Sequence, residues 1–294
     1  MNSQDLKKFV EENPKLVTMR PAGDGLYVLK YKKSVFFDDL WNEYLEECRG
    51  TIVDENFNIV SYPFTKIYNY GVESKAPVLA PGTMVKPFRK VNGFMAAITW
   101  HDGKLLVSTT GSTDSPYVDM IKELIVSQNA LEQYEHTCKR HPNYTFMFEC
   151  VHPSDPHIIE ELPGLYYLGH RKKEFGSRIE VDETWGLIFG CRAAIGYDGC
   201  TIEMLQEMVG HAAHEGFVFY TGDGRAAKIK SPYYLTCKWV ARNPRTDKLM
   251  TDAFKKQIDE EYYPLIDHLR ENIVFYTSLD EQQRLAYVRE FLEK

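Results

Sequence analysis

Short runs in which apolar residues are continuous or alternate with polar ones occur along most of the chain, a pattern typical of β-strands. The runs cover residues 26–31, 51–54, 59–62, 94–100, 105–110, 144–151, 165–171, 185–189, 215–220 and 226–229. Turn sequences at 55–58, Asp102-Gly103 and 221–225 each join two such runs. These three junctions predict antiparallel hairpins.

Apolar residues recur at helical spacing in five other segments. The segments are 3–12, 115–135, 201–214, 252–272 and 279–293, with Ser3 and Ser115-Pro116 as the expected starts of the first two. Residues 35–48 fit either a loop or a helix. Because the composition changes near Arg242, the pattern predicts an α+β domain over 1–243 and a short all-α module over 244–294.

Composition limits the classes of partner. The net charge is −7, whereas a protein that binds nucleic acid mainly by neutralising phosphates is usually basic. Any nucleic-acid site must therefore concentrate its positive charge in a cleft. The module over 244–294 has eight Lys or Arg against eleven Asp or Glu, so we do not expect it to bind polyanions generally.

Cysteine usage and hydropathy indicate a cytoplasmic protein. The six cysteines form no C-x-x-C pair, which argues against a zinc site and fits free thiols in a reducing compartment. No apolar run approaches the roughly 20 residues of a membrane span, and the N-terminal segment has no signal-peptide core. We therefore expect no membrane association.

Lys90 and Gly93 form a K-x-x-G sequence. A lysine amine is a nucleophile only when neutral, which requires burial or neighbouring positive charge to lower its pKa. Gly93 has no Cβ and would let the backbone approach a bound nucleotide closely. Taken alone, the pattern is more often a surface lysine beside a turn glycine.

Further charged residues stand within strand-like runs downstream. Glu149 lies in an apolar run, where a carboxylate is rarely buried without a partner. It is either a paired structural residue or a ligand for ribose hydroxyls or metal-bound waters. Lys228 and Lys230 lie on one face of a strand. They form either a solvated edge or a pair that holds an α-phosphate and lowers the pKa of Lys90.

Two more cations precede Lys90. Arg49 introduces a predicted strand and could be a solvated turn residue, while Lys66 lies in an aromatic loop and could likewise be solvated. A guanidinium fork and an ammonium point charge both suit phosphate groups. A phosphate-binding role is the alternative for both.

The order of these motifs resembles the covalent nucleotidyltransferases, which include polynucleotide ligases and mRNA capping enzymes. The motifs are K-x-x-G, Glu149 in its aromatic strand, Glu215-Gly216 in E-G-F-V, and K-I-K-S at 228–231. With E-C-R-G at 47–50, P-F-T-K-I-Y-N at 63–69 and Gly111-Ser112, they are most similar to the phage-type RNA ligase 1 family, from about Leu29 to Leu235. The resemblance implies an ATP-grasp-like nucleotidyltransferase domain, with antiparallel sheets around a nucleotide cleft.

The resemblance also implies an activity: an ATP-dependent RNA ligase that joins 5′-phosphate and 3′-hydroxyl ends in RNA or tRNA repair, with nicked tRNA among its substrates. Lys90 would form lysyl-AMP, and AMP would then pass to the RNA. ATP and Mg²⁺ are the implied cofactors, with Mn²⁺ as a substitute. The implied protein is a monomer, in the host cytoplasm if viral.

The same resemblance assigns roles to the remaining residues. Arg49 and Lys66 would bind the β- and γ-phosphates, and Glu149 and Glu215 would hold the metal through water. The nucleotide site would be completed by Gly93, Arg171, Lys228 and Lys230, of which the two lysines at 228 and 230 would also act in catalysis.

Three positions depart from the family pattern. Thr110 stands where a lysine is usual, Asn92 where an aspartate is common, and Phe94 where a serine is frequent.

Two alternative functions within the same mechanism are a capping-type guanylyltransferase and a DNA ligase. The lack of a recognisable C-terminal OB-type domain argues against both. A non-catalytic nucleotide- or RNA-binding protein would keep the fold and lose the nucleophile.

Overall fold

The computed structural model describes residues 2–243, 245–258 and 260–292. Its strands are β1 Val17–Pro21, β2 Tyr27–Tyr31, β3 Arg49–Val53, β4 Ile59–Ser61, β5 Tyr68–Asn69, β6 Met84–Arg89, β7 Phe94–His101, β8 Lys104–Ser108, β9 Tyr144–Val151, β10 Gly164–Lys172, β11 Ile179–Glu180, β12 Arg192–Ala193, β13 Cys200–Thr201, β14 Gly216–Thr221 and β15 Ala226–Lys230. Its α-helices are α1 Ser3–Glu12, α2 Lys33–Phe37, α3 Glu43–Glu47, α4 Pro116–Ser127, α5 Leu131–Arg140, α6 Thr184–Phe189, α7 Ile202–Gly210, α8 Pro232–Arg242, α9 Asp252–Lys255, α10 Tyr263–Glu271, α11 Ile273–Ser278 and α12 Glu281–Leu292. Two 3₁₀ helices, Thr246–Met250 and Glu260–Tyr262, complete the described elements.

The described chain forms two compact units that interleave along the sequence. Unit one comprises residues 2–68, 93–156 and 161–195. It contains an antiparallel sheet of order β1-β2-β3-β4 and a larger sheet of order β11-β10-β9-β7-β8, in which β12 pairs in parallel with β10. The main core of unit one forms where α4, α5 and α6 pack on the larger sheet, because the strands turn residues such as Phe146, Phe148 and Tyr167 toward the helices.

Unit two comprises residues 69–92, 157–160 and the described residues from 196 onward. Its sheet has the order β13-β6-β14-β15, and β15 continues to the short β5, whose second residue begins this unit. Helix α7 buries Leu205 and Val209 against this sheet. A separate core joins α8, the helices that follow it and the apolar residues Ile158 and Ile159.

The three predicted hairpins are confirmed as the pairs β3/β4, β7/β8 and β14/β15. The strand predicted at 185–189 is wrong, because these residues form α6. A short apolar run fits a strand and a buried helical turn equally well. The N-cap of α1 is also not Ser3: Asn2 accepts a hydrogen bond from the Asp5 N–H, and the Asp5 side chain accepts one from the Asn2 N–H.

Two predicted long helices are interrupted. The segment 115–135 divides into α4 and α5, and Asn129 between them has a left-handed φ of +53°, a conformation that asparagine tolerates better than most residues. The segment 252–272 divides into α9, a 3₁₀ turn and α10. Residues 35–48 contain α3 and the last three residues of α2, so the helical alternative for that segment is confirmed in part.

The α+β class is confirmed, and the described residues from 245 onward contain only helices. The predicted boundary between Asn243 and Pro244 stays a prediction, and Pro244, Glu293 and Lys294 of the predicted module lie outside the described residues. No boundary between the compact units falls there, because α8 shares a core with the helices that follow it. No helix in the described part of the chain is long and apolar enough to cross a bilayer.

Candidate functional site

Antiparallel pairing brings three predicted site residues to one edge of the unit-two sheet. Lys90 follows the end of β6, Glu215 precedes the start of β14, and Lys230 ends β15. The registers Phe217↔Arg89 and Gly216↔Lys230 align these ends. The Lys90 N–H donates to the Gly216 carbonyl over 2.9 Å and fixes the chain at the point where Lys90 leaves the strand.

Gly216 is required for this alignment. Its φ of +125° is in a region that side chains rarely adopt, and a Cβ at this position would lie 2.0 Å from the Ile229 carbonyl oxygen. The backbones of β14 and β15 therefore approach each other here only because the residue is glycine. This explains why Glu215 is followed by glycine in the E-G-F-V sequence.

Glu215 lies between two lysines. Its Oε2 is 2.8 Å from Lys90 Nζ and its Oε1 is 3.2 Å from Lys230 Nζ. The carboxylate is 3 % exposed. Burial tends to raise the pKa of Glu215, but the charges of Lys90 and Lys230 and their hydrogen bonds outweigh it and lower the pKa. Glu215 is therefore ionised at neutral pH and stabilises both ammonium groups.

Lys230 was expected to lower the pKa of Lys90, and Glu215 between the two lysines opposes that effect. Burial lowers the pKa of Lys230, Glu215 acts to raise it, and the charges of Lys90 and Lys238 lower it further. The two lysines thus repel each other across a carboxylate that attracts both. Lys228 lies two residues earlier on β15, hence on the same face, and its carbonyl accepts a hydrogen bond from the Tyr70 N–H.

Asn92, a departure from the family pattern, is a central contact of the cluster. Its Nδ2 donates to Glu215 Oε2 and its Oδ1 accepts from the Ile159 N–H, each over 2.8 Å. The side chain is 4 % exposed. An ionised aspartate could accept from Ile159 but could not donate to Glu215. The residue type that departs from the pattern is the one that this geometry needs.

A further contact links this cluster to the C-terminal helix. The Arg289 guanidinium of α12 donates to the carbonyl oxygens of His157 and Ile158, directly before Ile159. The segment 157–160 is therefore held on one side by Arg289 and on the other by Asn92. Sequence reasoning missed both contacts, since 67 residues separate Asn92 from Ile159 and 131 separate Ile158 from Arg289.

Glu149 and Gly93 belong to unit one. Glu149 is 9 % exposed, and its Oε1 accepts a hydrogen bond from the Gly93 N–H over 3.1 Å. A Cβ on Gly93 would lie 2.2 Å from the Cys150 carbonyl oxygen. The close approach that requires Gly93 is therefore made to β9, and the nucleotide contact predicted for Gly93 stays a prediction.

Arg171 is occupied by contacts within unit one. Its guanidinium forms a two-bond pair with Glu47, donates to the Pro63 and Ser177 carbonyls, and lies 3.5 Å from the centre of the Tyr62 ring. The residue is 3 % exposed. All three nitrogen atoms donate to protein acceptors, so these contacts hold the guanidinium in unit one, and the nucleotide contact predicted for Arg171 stays a prediction.

Arg49 has a neighbour that sequence reasoning missed. Lys30 on β2 pairs with Arg49 on β3, and its Nζ would lie 2.9 Å from a Cβ on Gly111. Burial lowers the pKa of Lys30, and the charges of Arg20 and Arg49 lower it further. Lys30 thus places an ammonium group beside the residue that follows Thr110, where the family's usual lysine is missing.

Lys66, also in unit one, is not a solvated loop residue. It is 9 % exposed, and its Nζ lies 4.8 Å from the Tyr68 ring centre, 5.0 Å from that of Trp41 and 5.6 Å from that of Phe36. The negative faces of aromatic rings attract a cation. These rings hold the ammonium group in place, which would pre-organise it for an anion.

The described residues contain no group of three or more His, Cys, Asp or Glu side chains arranged to hold a metal ion. The two predicted metal ligands, Glu149 and Glu215, belong to different units. Both oxygens of Glu215 already lie within hydrogen-bonding distance of lysine ammonium groups. A metal at Glu215 therefore fits only through water.

No family model and no curated protein sequence matches this chain. Its fold is similar to that of an archaeal ATP-dependent RNA ligase, with 17 % identity over 96 % of this chain and 75 % of the other and a TM-score of 0.57. It is also similar to a candidate ATP-dependent DNA ligase from Aquifex aeolicus, with 18 % identity over 97 % and 75 % of the two chains and a TM-score of 0.56. The chain therefore shares its fold with these two proteins.

Proposed function

We propose that this protein is an ATP-dependent RNA ligase that joins 5′-phosphate and 3′-hydroxyl RNA ends through lysyl-AMP and RNA-adenylate intermediates. The observation that supports it best is the cluster of Lys90, Glu215 and Lys230 at one sheet edge, in a fold similar to an archaeal RNA ligase. Phosphoryl transfer depends on positioning and charge stabilisation, and this cluster supplies both.

In the first step, Lys90 Nζ attacks the α-phosphorus of ATP. An N–P bond forms, the bond from the α-phosphorus to the bridging oxygen breaks, and pyrophosphate leaves. The amine must lose a proton, and Glu215 Oε2 at 2.8 Å is within reach to accept it. Lys230, with Lys228 on the same strand face, then stabilises the charge on the α-phosphate.

The cations of unit one would bind the leaving pyrophosphate. Arg49 and Lys66 are proposed to contact the β- and γ-phosphates, and Lys30 joins Arg49 in that task because the two residues are paired on adjacent strands. Glu149 would contact the ribose hydroxyls or metal-bound water, while Gly93 keeps the backbone close enough for the Glu149 bond.

The later steps use the same groups. An oxygen of the RNA 5′-phosphate attacks the phosphorus of AMP, the N–P bond to Lys90 breaks, and the lysine amine leaves. The 3′-hydroxyl then attacks the RNA 5′-phosphate, the bond from that phosphorus to AMP breaks, and AMP leaves. Each step develops negative charge on a phosphate. Nicked RNA, including nicked tRNA, is the proposed substrate, and the protein is proposed to act as a monomer in the cytoplasm, or in the host cytoplasm if viral.

A divalent metal is part of this proposal. Mg²⁺ retains several waters and is usually bound by one or two carboxylates together with substrate phosphates, so Glu149 and Glu215 would hold it through water. Mn²⁺ is expected to substitute. When bound, the metal neutralises phosphate charge, and every proton and side-chain contact above is made by the chain's own residues.

The test is incubation with α-labelled ATP and Mg²⁺, followed by a denaturing gel. Wild type should retain the label, and intact mass should rise by about 329 Da, one AMP. The Lys90→Ala variant should show neither change. A label that survives this substitution would rule out Lys90, and labelling by GTP in place of ATP would indicate a capping-type guanylyltransferase.

A DNA ligase is the second candidate, since the fold is equally similar to a protein described as one. Sealing assays with matched nicked duplexes distinguish the two. We expect sealing of an RNA strand with 5′-phosphate and 3′-hydroxyl ends, and weaker sealing of the DNA counterpart. Adduct formation without sealing of either strand would favour a nucleotide-binding protein with partial chemistry.

A further inference from the structure

A cavity in unit two is lined by residues that the chemistry above does not use. Its volume is about 540 Å³, within the range of small-ligand sites. Helix α8 contributes Lys238, Trp239 and Arg242, and the segment after it contributes Lys248 and Phe254. Asn243, Thr251, Ala253 and Gln257 complete the described lining.

The lining concentrates positive charge in a part of the chain that is acidic overall. Lys238, Arg242 and Lys248 line the cavity, and none of its described lining residues is acidic. Lys238 and Arg242 lie four residues apart on α8 and so share a face. Arg242 uses its Nε to pair with Glu281 over 2.8 Å, and a guanidinium has four further N–H donors. Anions are therefore favoured at this cavity.

The same cavity has an exposed aromatic side chain. Trp239 is 42 % exposed, whereas the other apolar residues of its helix are buried or partly buried. Tryptophan beside cations is typical of sites for single-stranded nucleic acid, where bases stack on the ring and phosphates contact the cations. A peptide carboxylate would use the cations but would gain little from an exposed indole.

The cavity lies close to the reactive cluster within unit two. Lys230 Nζ and Lys238 Nζ are 4.7 and 5.9 Å from the centre of the same ring, that of Tyr234, so the two ammonium groups lie within about 11 Å of each other. A stacked strand rises roughly 3.4 Å per nucleotide. A strand with its reacting end at Lys230 therefore reaches Lys238 within about three nucleotides.

We propose that this cavity binds the RNA strand about three nucleotides from the reacting end, with a base on Trp239 and phosphates on Lys238, Arg242 and Lys248. The inference rests on the proposed ligase function. Because the protein has a net charge of −7, any site for RNA must concentrate positive charge locally, and this cavity does so. It also assigns substrate binding to α8 and the segment that follows it.

The test measures RNA affinity separately from chemistry. The probe is a fluorescent 12-nucleotide single-stranded oligoadenylate with a 5′-phosphate, titrated without ATP against full-length protein carrying Lys90→Ala. Trp239→Ala should weaken binding about tenfold, since stacking contributes on that scale. Lys248→Ala should lower the slope of log affinity against log salt by about 0.7, the loss of one phosphate contact on a single strand.

Matched controls come from the same part of the chain. Lys256→Ala removes an exposed charge and Phe275→Ala an exposed ring, and neither residue lines the cavity. Both should bind RNA as the parent does. Equal losses in Lys248→Ala and Lys256→Ala would mean a diffuse charge effect and would overturn the proposal, as would unchanged affinity in Trp239→Ala. Competition by polyglutamate as strong as by unlabelled RNA would point to an acidic peptide instead.

The outcome is separable from that of the proposed function. Adduct formation by wild type with ATP alone tests the ligase chemistry and requires no RNA. Failure of that reaction would count against the function. If the adduct forms but substitutions at the cavity leave RNA affinity unchanged, only the cavity assignment is overturned. Thermal melting followed by circular dichroism confirms that each variant is folded.

Discussion

Asn92 and Glu215 form a 2.8 Å hydrogen bond in which the amide donates to the same carboxylate oxygen that contacts Lys90. The bond restricts how Glu215 can turn, and it leaves the carboxylate charged because the amide adds no competing charge. Asn92 is therefore a positioning residue that acts on Lys90 through Glu215.

The first prediction concerns this amide. Asn92→Asp should place a second carboxylate beside Glu215, which would stabilise the ammonium form of Lys90 and move the pH profile of adduct formation to higher pH. Asn92→Ala should slow the reaction, by about tenfold, without that added shift. Adduct rates between pH 6 and 10 provide the measurement. A profile for Asn92→Asp that matches Asn92→Ala would mean that the charge at position 92 does not reach Lys90.

The second prediction concerns stability and pH. The pKa of Glu215 lies below its ordinary value of 4.5 because of Lys90 and Lys230, so its charge contributes folding stability above that value. The contribution is lost as pH falls through the lowered folded-state pKa. Urea unfolding of wild type should thus show a loss of stability below about pH 4.5 that Glu215→Gln lacks.

At neutral pH, Glu215→Gln should be less stable by roughly 3 kcal/mol, because two partly buried lysines would lose their anion. The difference between the two proteins should shrink as the pH is lowered. A difference that stays constant from pH 7 to pH 3 would show that the lysines do not depend on this carboxylate.

The third prediction separates the ATP-specific step from sealing. Lys30→Met and Arg49→Ala should slow adduct formation from ATP, each by about tenfold, because only ATP carries β- and γ-phosphates. Both should still seal a pre-adenylylated RNA strand. Lys33→Met, an exposed lysine nearby in sequence, is the control. Equal loss in both assays would assign Lys30 and Arg49 a structural or RNA-binding role.

Local patterns predicted much of this structure. The hairpin turns are encoded within a few residues, so β7/β8 and β14/β15 could be read from the sequence. Lys90, Glu215 and Lys230 were also identifiable because each stands beside a short motif. Their meeting at one sheet edge follows from antiparallel pairing of β6, β14 and β15.

What the sequence did not indicate depends on contacts between distant segments. The pairing of Arg171 with Glu47, 124 positions away, could not be read from the sequence. Lys30 carries no motif, and its relevance appears only from its pairing with Arg49 and its approach to Gly111. Run 185–189 was too short to separate a strand from a helix.

The last prediction concerns the residues that follow Asn243. The predicted domain boundary after Asn243 implies that a protein truncated there would still form lysyl-AMP. The packing of α8 argues otherwise: Val240 and Ala241 are fully buried, and their carbonyls accept hydrogen bonds from Tyr276 and Arg284. We now expect the truncated protein to expose this face and to lose most adduct formation.

A single substitution tests the same connection without removing a core. Arg289→Met should release the carbonyls of His157 and Ile158, loosen the Ile159 contact to Asn92, and slow adduct formation by about tenfold. Arg284→Met is the matched control, because Arg284 contacts Ala241 and Leu279 but makes no described hydrogen bond to the segment 157–160. Adduct rates and melting temperatures of the two variants give the answer. If both lose activity in proportion to their melting temperatures, α12 stabilises unit two without positioning Lys90.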